Sequence, residues 1–138
     1  VKTTAVIKGT EFTIHVKVAF RDRIVAPIFA FSFKNIKGTE ITGTNSMIEK
    51  AFLEPVEAGV VKEVTFKQNM SLQGGEYLLS LGITGYEGSE FQVYHRLYDV
   101  LNVTVVSDKD TVGFYDMNSK VEVKNAAKDK VIPYRQEA

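Results

Sequence analysis

Apolar and polar residues alternate with a period of two along most of the chain. Phe12, Ile14, Val16, Val18 and Phe20 are separated by Thr13, His15, Lys17 and Ala19, the pattern of a strand with one buried and one wet face. Residues 8–11 (Lys-Gly-Thr-Glu) read as the turn before it, and residues 21–23 (Arg-Asp-Arg) as its end. A second strand is predicted over 28–34, with Phe29, Phe31 and Phe33 on one face and Ala30, Ser32 and Lys34 on the other. Pro27 has no N–H to give to a ladder, so it suits the start of that strand and not its interior. A turn at 35–38 leads to a short strand near 40–42 and a loop at 43–46, and residues 47–53 make at most a short helical turn. The strand predicted over 60–68 turns Val64 and Phe66 inward. A Gly-Gly corner at 71–75 opens a strand over 75–84, in which Tyr77, Leu79, Leu81 and Ile83 alternate. Residues 85–90 read as a polar loop, 91–106 as one long or broken strand, and 112–115 and 120–124 as two further short strands. Many short strands at roughly 8–12-residue spacing, with almost no helix, predict an all-β sandwich or barrel. The chain reads as a single domain over 1–138, with a core of about 8–124 and a polar tail at 125–138.

Composition narrows the partners. A length of 138 residues is enough for one domain with a sizeable core. Lys+Arg and Asp+Glu are both 17, for a formal net charge of zero. A nucleic-acid binder needs a basic footprint to displace counterions, so that class is excluded. A polybasic membrane-surface patch is equally unsupported. With no cysteine, disulfides and thiolate metal sites are ruled out. No apolar run approaches the roughly 20 residues of a membrane-spanning helix. The alternation in residues 1–20 is not that of a signal peptide, and a start at Val1 reads as an excised domain.

Motifs of catalysis are missing. The two histidines, His15 and His95, fall on different predicted strands without a companion at ligand spacing. Asp108-Lys109-Asp110 places a lysine between its carboxylates and reads as a solvated turn, not a calcium loop. There is no GxSxG elbow, HExxH helix or phosphate-binding glycine loop. Glu87, Glu90 and Asp99 could supply carboxylates for glycoside hydrolysis, but a small sandwich without long loops rarely builds the necessary cleft. No catalytic residue, metal or cofactor is therefore assigned. What remains is a binding surface. Residues 91–99 concentrate Tyr94, His95, Arg96, Tyr98 and Asp99. Aromatic faces take the C–H-rich faces of sugar rings, and planar charged groups make paired hydrogen bonds to hydroxyls or anionic substituents. Two uses stay open for this segment: contact with a ligand, or a loop anchored by Tyr98 with a structural Arg96–Asp99 pair. His15 and Lys17, beside Thr13 on the wet face of the first long strand, are further candidates if that face is concave; ordinary solvation explains them equally well. Three classes of function fit: a glycan-recognition module, a structural or adhesive extracellular β-sandwich, and a small β-sandwich enzyme acting on glycans.

The order of the turn phrases distinguishes among them. The chain reads KGTEFTIHVKV, IVAPIFAFSFKNIKGTEITGTNS, EAGVVKEVTFKQNMSLQGGEYLLSLGIT, YHRLYDVLNVTVVS and TVGFYDMNSKVEV. It resembles the C-terminal carbohydrate-binding domain of the ATPase subunits of bacterial polysaccharide (O-antigen) ABC transporters, the Wzt C-terminal type. Gly38, Gly43-Thr44-Asn45, Leu72, Gly75, Tyr77 and Tyr98-Asp99 occupy that family's turn positions in order, over residues 8–123. Phe29-Ala30-Phe31, where a glycine is expected, and Thr10 before Glu11 depart from the pattern. The resemblance implies an immunoglobulin-like or jelly-roll-like antiparallel β-sandwich. It also implies a homodimer in which C-terminal strands are exchanged, and a place on the cytoplasmic side of the inner membrane. A nucleotide-binding domain of the parent chain would carry the module to the transporter's membrane subunit. The expected activity is non-catalytic recognition of the non-reducing terminus of a lipid-linked polysaccharide. No individual sugar-contact residue is carried over.

Overall fold

In the computed structural model, which describes residues 2–127, the strands are β1 (Lys2–Ile7), β2 (Glu11–Ala19), β3 (Ile28–Asn35), β4 (Glu40–Asn45), β5 (Val61–Asn69), β6 (Gly75–Glu87) and β7 (Glu90–Val106). They form a five-stranded sheet in the order β1-β7-β6-β3-β4 and a two-stranded sheet of β2 and β5. The predicted period of two explains why the layers stack. Phe29, Phe31 and Phe33 lie opposite Ile83, Leu81 and Leu79 on the neighbouring strand, and directly opposed residues share a face. That face meets Ile14 and Phe66 from the other sheet. The Phe31 and Phe66 rings touch edge to face at 4.9 Å between centroids. A second cluster, Phe20, Phe29 and Val56, continues the core toward one end. The fold is the all-β sandwich that the alternation and the family resemblance predict.

Several details differ from the sequence reading. β1 was not foreseen, and it pairs with the last third of β7 in parallel, Lys2 opposite Leu101 through Ile7 opposite Val106. The sandwich is therefore antiparallel except at this edge. Residues 85–90 are a hairpin rather than a loop: the ladder runs on through Tyr86 opposite Phe91 and Glu87 opposite Glu90, and the Tyr86 and Phe91 rings meet edge to face at 5.5 Å. The strands expected at 112–115 and 120–124 do not form. Tyr115 makes an isolated bridge to Leu72, and residues 120–124 have no regular structure. At β4, the prediction of a strand ending near residue 42 was short, since the strand reaches Asn45. Gly43 allows this: a Cβ there would lie 2.6 Å from the Phe31 carbonyl oxygen, so only glycine lets the two backbones close.

After β7 the chain is fastened to the start of the molecule by a polar clamp. The Lys8 ammonium lies 2.9 Å from Asp116 Oδ2 and donates to Gln73 Oε1 at 2.9 Å and to the Lys109 carbonyl. Gln73 in turn donates to Thr111 Oγ1 at 2.7 Å and accepts from the Thr111 N–H at 3.0 Å. The Asp116 side chain is only 6% exposed. Its pKa is lowered to about 2, chiefly by the hydrogen bond from Lys8 and then by the N–H of Asn118. A carboxylate whose pKa falls on folding stabilises the fold above its ordinary pKa, and that contribution disappears as pH drops toward the folded value. Urea midpoints are therefore expected to fall as pH goes from about 4 to about 2, and Asp116→Asn to flatten that dependence. An unchanged slope in the variant would show that other carboxylates carry it.

Candidate functional site

Three of the seven predicted ligand residues, Arg96, Tyr98 and Asp99, come together on the outward face of the five-stranded sheet. Alternation that sends Phe29, Phe31 and Phe33 inward sends Ala30, Ser32 and Lys34 outward. Opposite them stand Gly82, Ser80 and Leu78 of β6. Arg96 of β7 lies opposite Gly82, and Asn102 opposite Leu78. On the other side of β3, Ser32 faces Gly43 and Ala30 faces Asn45. The middle of this face is thus paved with the smallest side chains of the sheet: Ala30, Ser32, Gly43, Ser80 and Gly82. Larger groups rise only at its margin, so the face is a shallow trough.

A bulge builds the charged margin. Between the pairs Leu79–Leu101 and Leu81–Leu97, β6 advances two residues while β7 advances four. The extra length is absorbed around Asp99, which takes φ 53°, a left-handed conformation that aspartate tolerates better than most residues. Its N–H donates to Ser80 Oγ at 3.0 Å, and its carboxylate lies 3.0 Å from the Lys34 ammonium. Asp99 therefore pairs with Lys34 across β6, not with Arg96. Tyr98 is left 67% exposed, and its hydroxyl oxygen is 3.5 Å from Arg96 Nη1. Among the described residues no carboxylate pairs with Arg96. A guanidinium without a carboxylate partner among the described residues, an exposed phenol ring, a lysine–aspartate pair and two serine hydroxyls can together take a polyhydroxylated ring, with the ring's apolar face against Tyr98.

The other predicted residues lie elsewhere. His95 is opposite Ile83 and so belongs to the inward face. With Tyr94 it lines a cleft of about 650 Å³ at the end of the sandwich, along with Arg21 and Glu87. The Tyr94 ring lies over Gly85, where a Cβ would be 3.0 Å from Tyr94 Cε2. Burial first, and the Glu87 carboxylate second, raise its pKa. His15 lies on β2 opposite Thr65, and Lys17 opposite Glu63, on the outer surface of the two-stranded sheet. The sequence reading missed Lys34, Ser80 and Gly82. Lys34 and Ser80 carry no local signal; only the pairing of β3 with β6 brings them beside Asp99. Among the described residues no group of three or more His, Asp or Glu could hold a metal ion, and no helix is long and apolar enough to cross a membrane.

Comparison with known proteins decides the family. The family model of the Wzt C-terminal domain matches residues 1–117. The chain belongs to the Wzt C-terminal domain family. That family consists of non-ATPase domains of ABC-transporter subunits, in keeping with a role in polysaccharide export. A solved structure described as the crystal structure of the C-terminal domain of wzt superposes with a TM-score of 0.79 at 24% identity, covering 87% of this chain and 74% of that one. At that identity the match shows the shared β-sandwich. No curated protein sequence matches the chain.

Proposed function

We propose that this Wzt C-terminal domain recognises the non-reducing terminus of a lipid-linked bacterial polysaccharide on the outward face of its five-stranded sheet, and does so without chemistry. The observation that carries the reading is the trough itself: a floor of small residues beside the exposed Tyr98 and an Arg96 guanidinium that no carboxylate of the described residues pairs with. Small floor residues let a sugar ring approach the backbone, the ring face stacks on tyrosine, and the guanidinium makes paired hydrogen bonds to hydroxyls or an acidic substituent. Such a site exchanges water hydrogen bonds for ligand ones, so the net gain per contact is small. Dissociation constants in the micromolar to millimolar range follow, roughly −8 to −4 kcal/mol. The domain works on the cytoplasmic side of the inner membrane, joined through its parent chain to the transporter's membrane subunit.

The same reading includes a homodimer with exchanged C-terminal segments. β5 pairs only with β2 among the described strands, and β4 only with β3. Between these two free edges opens a cleft of about 1250 Å³ lined by Phe12, Phe31, Ile41 and Phe66, with Tyr115 at its margin. A free edge above an apolar gap suits the addition of an extended strand. Residues 119–127 are exposed throughout, and Val121 and Val123 there are 85% and 90% exposed. A second copy supplies the strand.

Calorimetric or NMR titration of the domain with oligosaccharides ending in the natural terminus, against the same glycans lacking it, tests the assignment. Arg96→Ala is expected to weaken binding about tenfold or more, or roughly 1.4 kcal/mol, with the melting temperature nearly unchanged. Lowered stability with intact binding would make Arg96 a structural residue.

A further inference from the structure

The clamp at Lys8 does more than bury an ion pair. It joins the turn after β1, the corner before β6 and the segment after β7, which are distant in sequence. Lys8 itself is held by backbone: its N–H donates to the Val106 carbonyl at 2.9 Å. The segment after β7 is fixed at successive points. The Gly74 N–H donates to Asp110 Oδ1 at 2.9 Å, and Thr111 is held by Gln73 on both its N–H and its hydroxyl. The Asp116 N–H donates to the Ser71 carbonyl at 2.8 Å, and Asp116 Oδ1 accepts the Asn118 N–H at 2.7 Å. Beyond Asn118, among the described residues, only a local Lys124–Glu122 pair is formed. The last fixed residues therefore lie against the corner beside Leu72, at the margin of the cleft between β4 and β5. Apolar packing does not hold the segment there: Val112 is 94% exposed, Met117 80% and Tyr115 60%. The Lys109 ammonium also lies 3.5 Å from Asp116 Oδ2, but its side chain is more than half exposed; removing Lys8 takes away the buried cation of a buried pair, an unfavourable change, so the attachment is weakened without Lys8.

We infer that Lys8, Gln73 and Asp116 form an anchor that sets where the C-terminal segment leaves the sandwich, and thereby positions it for exchange with a second copy. This rests on the exchanged homodimer proposed above. The anchor is a positioning device, remote from the sugar trough. None of its residues lies on the outward face that carries Arg96 and Tyr98.

The test uses the full chain and its Lys8→Met variant, which keeps the side-chain bulk and removes the ammonium. Hydrogen exchange, sedimentation at several concentrations and glycan titration are read in parallel. Faster exchange by tenfold or more at the amides of Thr111 and Asp116 is expected, with core amides of β3 and β6 unchanged. The dimer should dissociate at least tenfold more readily, and glycan affinity should not move. If Lys8→Met fails to fold, Asp116→Asn, which removes the buried charge while keeping an oxygen for the Asn118 N–H, is read in the same way. Unchanged protection at Thr111 and Asp116, or an intact dimer despite lost protection, overturns the anchor. A wild-type chain that stays monomeric at every concentration instead overturns the exchange reading, and with it the role in assembly.

Discussion

Phe33→Ala is expected to destabilise the domain by about 3–5 kcal/mol, measured by urea or guanidinium unfolding. Phe33 is 2% exposed. Its ring meets Phe31 at 5.7 Å and Phe12 at 6.3 Å, so it ties the two sheets together at their centre. Truncation removes both the transferred surface and the neighbours' contacts, and a rigid β framework collapses poorly onto the void. Whole domains are stable by only about 5–15 kcal/mol, so the variant should sit near the edge of folding. Phe33→Leu, which preserves most of the volume, should cost far less. The neighbouring cleft between β4 and β5 makes the result informative. A loss below about 1 kcal/mol for Phe33→Ala would mean that side chains move into the void from the cleft, and that the core is less closed than its burial suggests.

How much of this was legible in the chain depends on whether a feature is local. The inward rows of β2, β3, β5 and β6 follow directly from alternation, because a buried face and a wet face force a period of two. β1 escaped notice because nearly all of it is exposed on both faces; its place comes from main-chain pairing with β7, which leaves no mark on side-chain pattern. The hairpin at 85–90 looked like a loop because Gly85, Gly88 and Ser89 are turn residues, yet Gly85 serves instead to seat the Tyr94 ring. The opposite error occurred at 120–124. Val121 and Val123 alternate as a strand does, but alternation states a capacity for pairing, and no edge within the described chain meets them.

The candidate site divides along the same line. That residues 94–99 hold unusual chemistry was visible in composition. Which of them face together was not, because β7 is bulged twice against β6: two extra residues around Asp99 leave Leu101 and Leu97 facing the same way, and one extra residue between His95 and Val93 reverses the side. Arg96, Tyr98 and Asp99 therefore reach the outer face while His95 turns inward. A salt bridge between Arg96 and Asp99 was one of two readings left open by the sequence; the partner proved to be Lys34 on β3, four strands before β7 in chain order but separated from it only by β6 in the sheet.

Gly82→Leu should abolish or weaken glycan binding by at least about tenfold, roughly 1.4 kcal/mol, without lowering the melting temperature. The argument turns on why a glycine stands in the centre of β6. Gly82 does not have a positive φ, so the backbone does not demand it. Nor does packing: a Cβ would come no closer than 3.8 Å to the His95 carbonyl oxygen and 4.0 Å to Arg96 Cγ, both ordinary contacts. Glycine inside a strand is unfavourable by up to about 1 kcal/mol against residues that suit a pleated surface. A larger residue should therefore leave the fold as stable or more so. What it would remove is empty space, since its side chain would rise between Arg96 and Ala30 and fill the trough where the ring face must descend. Gly82→Ala, with one methyl group, should give an intermediate loss. His95→Ala is the matched control, because His95 lines the inward cleft and not the outward face. If affinity survives Gly82→Leu and is lost in His95→Ala, the sugar sits in that cleft, and the outward trough is only a sparsely covered sheet.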